Sequence, residues 1–193
     1  MLHHLSQSIA DFLLSQNCFD DEDLDIYIYG TELVLSSLLS CFIILITSIV
    51  LNCLLKGLLF FLCFVTLRKF TGGLHCKTYL RCNLTFITVY LGCLVCNAVV
   101  EQIKYKVIIY IALIIISLII VYLLSPIENI NKPISDDEKK KYRRIAVVVC
   151  FLQIILFVIL KLLNISDASI IVFTIFAVAL SMQAGLYNTK ESR

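Results

Sequence analysis

The chain has 193 residues, 60% of them apolar and only 16% charged, with a formal net charge of +2. Soluble domains run about 45–50% apolar and about 25% charged, and a soluble fold of this length could not keep the excess from water. These figures exclude a soluble enzyme, a disordered chain and a nucleic-acid-binding domain, and they place the protein in a lipid bilayer.

At the N-terminus Leu2, Leu5, Ile9, Phe12 and Leu13 recur at helical spacing, with His3, His4, Gln7, Asp11 and Ser15 on other faces. The pattern predicts an amphipathic helix over 1–17, lying in the membrane interface or packed on the protein's own spans. The first twenty residues hold no Lys or Arg and no long apolar run, so no cleaved signal peptide is expected. Residues 20–25 form an acidic connector.

A helix needs about 20 residues to cross the hydrocarbon. Uncharged runs near that length are 33–55, 82–100, 107–125, 145–160 and 168–187, and an eleven-residue piece, 57–67, follows Lys56 and Gly57. The stretch 33–67 therefore holds either a hairpin of two spans turning near Asn52 to Gly57, or one span and a half-helix. Two spans follow in 82–125 and two more in 145–187. The predicted fold is all-α: one polytopic membrane bundle over 1–193 with about five to six transmembrane helices and the N-terminal interfacial helix. Most of the nine cysteines sit inside apolar runs and read as small hydrophobes. Asn52, Asn97 and Gln153 are expected to hydrogen-bond between helices, and the spans lack the internal acids of an ion-coupled transporter.

Lys and Arg set the orientation. Residues 68–81 hold four, the loop 126–144 holds six, and Lys190 and Arg193 add two, against Lys56, Lys104, Lys106 and Lys161 elsewhere. Even numbers of spans separate the three groups, so they share one face, which reads as cytoplasmic.

The segment 68–82 differs from an ordinary polar turn. It packs Gly72 and Gly73, His75, two cysteines (Cys76 and Cys82) and four cations into fifteen residues. Paired glycines admit positive φ and end a helix. A thiolate is the nucleophile a peptidase needs, a histidine can take its proton, and neighbouring cations favour the anion. His75 and Cys82 are seven apart; on one straight helix they would share a face but stand about 10.5 Å apart along the axis, too far for a hydrogen bond of about 3 Å. The chain must therefore turn or bend between them. A metal site built on His75, Cys76 and Cys82 lacks a convincing fourth ligand, so neither a metal nor another cofactor is expected.

Arg68-x-x-x-Gly72-Gly73-x-His75, with Cys82 seven residues after the histidine, resembles the accessory gene regulator B family of bacterial membrane cysteine endopeptidases, which process quorum-sensing pro-peptides. Tyr29-Gly30-Thr31-Glu32 and the run Ser125-Pro126 to Lys132-Pro133 resemble further family landmarks in the same order, and the resemblance covers roughly residues 5–187. It implies that Cys82 is the nucleophile and His75 the base, supported by Arg68, Gly72 and Gly73. It also implies a short pro-peptide substrate with an amphipathic leader and an acidic tail, cut at the cytoplasmic face of the bacterial plasma membrane. The acyl part would be held as a thioester on Cys82 until an internal cysteine closes a thiolactone. The competing reading is a non-enzymatic peptide exporter or assembly factor. A homodimer is left open; beyond lipid and the peptide no partner is expected, nucleic acid included.

In the loop 126–144, Ser135-Asp136-Asp137-Glu138 reads as a capping box with acids at the positive end of a helix. Lys139, Lys140, Lys141, Arg143 and Arg144 then either mark the inside face or also draw an acidic peptide or anionic lipid to the surface.

Overall fold

The structure, a computed structural model, describes residues 2–16, 18–19, 23–72, 79–127 and 135–191. Among the described residues there are seven α-helices and no strand: α1 (Leu2–Ser15), α2 (Leu24–Val50), α3 (Leu54–Thr71), α4 (Tyr79–Glu101), α5 (Lys106–Leu124), α6 (Asp136–Leu162) and α7 (Ile170–Glu191), the last entered through a 3₁₀ turn at Ser166–Ser169. Five helices, all but α1 and α3, are long and apolar enough to cross a membrane. The chain is thus a multi-pass helical membrane protein.

In the ambiguous stretch two helices, α2 and α3, pack on one another as a helical hairpin. After α2 the chain reverses within three residues, because Asn52 takes a left-handed φ of 50° and the Cys53 amide donates to the Ser48 carbonyl at 2.8 Å. Asparagine tolerates that conformation better than most residues. Asn52 therefore serves the turn, not an interhelical hydrogen bond as its position in an apolar run suggested. Gly57 of α3 then packs directly on the Ser48 side chain, and α3 runs back along α2 until Phe61, Phe64 and Arg68 stand opposite Leu33, Ser37 and Ser40. Its 18 residues span about 27 Å, close to the hydrocarbon thickness of about 30 Å.

Helix α2 starts at Leu24, nine residues before the uncharged run, so Tyr29-Gly30-Thr31-Glu32 lies within it. Helix α1 folds back on this extension, where His3 Nδ1 meets Glu32 Oε1 at 2.7 Å. The amphipathic helix thus packs on the protein's own span.

Helix α7 is the central pillar. Ile170, Ile171, Val178, Ala179 and Met182 are fully buried, and α7 packs on α3, α4, α5 and α6. A helix apolar on every side belongs inside a bundle. Helix α5, by contrast, leaves Val107, Ile108, Ile111, Ile115 and Ile119 exposed, a stripe suited to lipid.

Polar side chains join the helices, as the sequence suggested for two of them. Gln153 Nε2 donates to the Cys63 carbonyl at 2.9 Å and to Thr66 Oγ1 at 3.1 Å, and Asn97 Oδ1 accepts from Ser169 Oγ at 2.7 Å. At the end of the bundle away from Cys82, Glu101 accepts from Lys106 at 2.6 Å, Lys161 at 3.0 Å, Tyr110 at 2.9 Å and Ser169 at 2.7 Å. Lys56 reaches Asp167 beside it at 3.5 Å.

Candidate active site

Among the described residues, Arg68 to Gly72, Cys82 and Ser125 to Ile127 lie at one end of the bundle. Helix α3 stops at Thr71 because Gly72 takes φ 71°, ψ −155°, a region essentially reserved for glycine. The bared C-terminus of α3 is then clasped by the segment following α5. The Ile127 amide donates to the Thr71 carbonyl at 2.9 Å, and Ser125 Oγ donates to the Phe70 carbonyl at 3.4 Å. Arg143 Nε, one turn into the basic part of α6, donates to the Ser125 carbonyl at 2.7 Å. Beneath the clasp Val121, Ile127, Ala146 and Met182 form a small apolar core. Gly72 permits this close approach: a Cβ there would stand 2.6 Å from the Ile127 carbonyl oxygen.

Cys82 lies in the first turn of α4 with its side chain exposed, whereas Cys63, Cys93 and Cys150 are buried among apolar residues, the role expected of most cysteines here. The next residue, Asn83, is buried. Its Oδ1 accepts from Ser40 Oγ at 2.7 Å and Ser36 Oγ at 3.2 Å, which fastens the start of α4 to α2. The sequence reading passed over this trio. Its traces were a polar residue beside Cys82 in an otherwise apolar span and two serines four apart on α2, which share a helix face.

Cys82 opens onto a groove of about 510 Å³ shared with Arg68, Lys69, Thr85, Phe86 and Phe64. The Arg68 guanidinium rests 5.4 Å from the Phe64 ring centroid, a cation–π distance. Arg68 thus lines the groove with Cys82 and Gly72 sits in the clasp that ends α3, while Gly73, His75 and Cys76 lie outside the described residues.

The basic segment forms the start of α6, and its capping box is present: Ser135 Oγ accepts from the Glu138 amide at 3.4 Å and the Glu138 carboxylate accepts from the Ser135 amide at 3.2 Å. Its cations divide. Lys139 and Lys140 pair with Asp136 at 3.3 Å and Asp137 at 3.9 Å in solvated i,i+3 contacts that contribute little to stability. Lys141 and Arg144 are exposed, and Arg143 is committed to the clasp. Among the described residues no three His, Cys, Asp or Glu side chains converge as metal ligands would.

Fold and site together define a multi-pass helical membrane protein that presents a thiol at the mouth of a groove, braced by a glycine-dependent clasp. Its sequence matches the description of Accessory gene regulator B (AgrB) over residues 6–184, and the chain belongs to that family. It is similar to two AgrB-like proteins of Clostridium perfringens, from strain 13 / Type A and strain SM101 / Type A. Each is 30% identical over 145 residues, covering 73% of this chain and 68% of the relative. An AgrB-like protein of Clostridium beijerinckii is 24% identical over 196 residues, covering 100% of this chain and 96% of its own length. All three relatives are themselves named by likeness. No solved structure matches. Family membership connects the protein with quorum-sensing peptide processing by the accessory gene regulator system.

Proposed function

We propose that the protein is a membrane cysteine endopeptidase that removes the C-terminal tail of an autoinducing pro-peptide and promotes its cyclisation. The observation that carries this reading is the exposed Cys82 thiol at the first turn of α4, opening on the same groove as Arg68. The helix N-terminus and the guanidinium both favour negative charge, as sulfur carries when it attacks. His75 takes the thiol proton, Cys82 Sγ adds to the scissile carbonyl, and the C–N bond breaks as the proton passes to the departing amine. The acyl part stays on Cys82 as a thioester. A cysteine within the peptide then attacks that thioester, so one C–S bond replaces another, the ring closes as a thiolactone and the Cys82 thiol is restored. No water and no nucleotide is consumed in that exchange.

The site end of the bundle carries the Lys/Arg excess and so faces the cytoplasm in this reading. Lys139, Lys140, Lys141 and Arg144 draw the acidic tail towards it, while Arg143 acts through the clasp. The test uses a synthetic or co-expressed pro-peptide with an amphipathic leader and an acidic tail. Cys82→Ala and His75→Ala should each abolish cleavage, whereas Cys76→Ala should leave most of it. Cleavage by Cys82→Ala would refute the mechanism, loss only in Cys76→Ala would move the nucleophile, and no cleavage by the wild-type chain would favour a non-enzymatic exporter or assembly factor.

A further inference from the structure

The groove below Cys82 is more than space around a thiol. One stripe of α4 lines it, Cys82, Thr85, Phe86 and Val89, at the three- and four-residue spacing that puts side chains on one helix face. Phe61, Phe64 and Val65 of α3 form the facing wall. Phe86 packs edge-on against Phe64 at 4.9 Å and against Phe61 at 6.4 Å, so the wall is a preformed aromatic surface. The seven-position separation of Cys82 and Val89 gives a depth of about 10 Å along the helix axis, room for about three residues of extended chain at about 3.3 Å each. The volume of about 510 Å³ falls within the roughly 300–1,000 Å³ of small-ligand pockets. Arg68 and Lys69 join the lining from the last turn of α3, at the Cys82 end, so the groove passes from a cationic mouth to an apolar floor.

We propose that this groove is the acyl-side binding site of the enzyme, selecting a bulky apolar side chain immediately before the scissile bond. The inference rests on the proposed role of Cys82 and adds the class of residue it acylates. After cleavage the acyl part remains bonded to Cys82 and must be held long enough for ring closure, while the tail must leave. An apolar channel that begins at the sulfur retains the first. A cationic mouth near water suits a charged departing piece and offers no place for an apolar one. A peptide segment is therefore the occupant, with a lipid acyl chain as the alternative that the experiment separates.

The test reads alkylation, which needs neither cleavage nor His75, so its outcome is independent of whether Cys82 cuts a peptide. The purified full chain in lipid nanodiscs is treated with N-acetyl-aminoacyl chloromethyl ketones carrying Leu, Phe, Ala or Asp side chains. The thiol displaces chloride to form a C–S bond, and peptide mass mapping gives the rate at Cys82, expressed relative to iodoacetamide in the same sample. The Leu and Phe reagents should react at least about tenfold faster than the Ala reagent, the scale of discrimination an apolar pocket supplies, and the Asp reagent should be slowest. Val65→Phe, which fills the groove from a half-exposed position, and Phe86→Ala, which empties its wall, should each collapse the Leu-to-Ala ratio towards one. A ratio near one in the wild-type chain, with iodoacetamide still modifying Cys82, would overturn the proposal. So would failure of both reagents at Cys82, since the sulfur would then not open on the groove. If native mass spectrometry shows a phospholipid retained by the wild type and lost in Val65→Phe, with no side-chain selectivity in either, the groove belongs to lipid.

Discussion

Replacing Gly72 by alanine should unfasten the clasp between α3 and the segment after α5. At φ 71°, ψ −155° a residue with a Cβ carries about 1–3 kcal/mol of backbone strain. The new methyl would also stand 2.6 Å from the Ile127 carbonyl oxygen and 3.3 Å from its nitrogen. Both are backbone atoms, so no side-chain rotation relieves the contact and Ile127 must withdraw. Its hydrogen bond to the Thr71 carbonyl, 2.9 Å in the structure, is then lost at a further net cost of about 0.5–1.5 kcal/mol. Together these amount to about 2–4 kcal/mol, or a rise of roughly thirty- to several-hundred-fold in clasp opening at about 1.4 kcal/mol per factor of ten. Fragment-resolved hydrogen–deuterium exchange in nanodiscs reads this directly at the Ile127 amide. Exchange in the fully buried part of α7, Ile170 and Ile171, should stay slow and show that the bundle is intact. Gly30→Ala and Gly92→Ala serve as controls, since a Cβ at either meets nothing within 4 Å. Unchanged exchange at Ile127 in Gly72→Ala would refute the view that this glycine exists for its backbone.

Removing both hydroxyls that bind Asn83, with Ser36→Ala and Ser40→Ala together, leaves a buried amide oxygen unsatisfied at about 1–3 kcal/mol. The thermal midpoint should fall by about 2–4 °C per kcal/mol, while Ser37→Ala, whose hydroxyl bonds within α2 at 2.8 Å, should leave it unchanged; equal midpoints would show that the trio does not hold α4. In the basic segment Lys140→Gln with Lys141→Gln should raise KM several-fold without slowing single-turnover cleavage at saturation, because capture outside the site acts equally on ground and transition states. The difference should vanish in high salt, where the Debye length falls from about 10 Å at 0.1 M to about 3 Å at 1 M; a salt-insensitive or unchanged KM refutes capture. Arg143→Gln should instead speed Ile127 exchange, as Gly72→Ala does, since its Nε holds Ser125. Cysteine-accessibility labelling of intact cells should reach sites engineered at Tyr105 and Asp167 but not at Asp137 or Thr189, and the opposite pattern would invert the orientation.

What the sequence disclosed was whatever depends on near neighbours along the chain. The capping box from Ser135 to Glu138 is a four-residue pattern, and it is present as read. Helix positions were legible because apolar run length is local, except at α3. There Lys56, Arg68 and Lys69 trimmed the uncharged run to 57–67, although these long side chains can keep their charges at the helix ends. Lys56 does so by meeting Asp167, over a hundred residues away. Nothing local to Arg143 separates it from its basic neighbours, and only the fold carries it to the Ser125 carbonyl. Likewise Phe86 looks like any span phenylalanine until α3 sets Phe61 and Phe64 against it.

The ion pairs at the end away from Cys82 bear on how the molecule assembles. In the proposed orientation the turns at 51–53, 102–105 and 163–165 are carried across the bilayer during insertion, and a lysine within a span costs about 2.5–3.5 kcal/mol on a translocation scale. The α4–α5 hairpin brings its own counter-ion, for Glu101 and Lys106 meet at 2.6 Å across their turn. The α2–α3 hairpin does not. Its Lys56 waits for Asp167, which enters with α6 and α7 at the far end of synthesis. Lys161, arriving in the same hairpin, finds Glu101 already in place. Helices α2 to α6 are therefore made before the pillar they surround, and docking of α7 at once fills the centre and supplies the acid for the earliest outward cation.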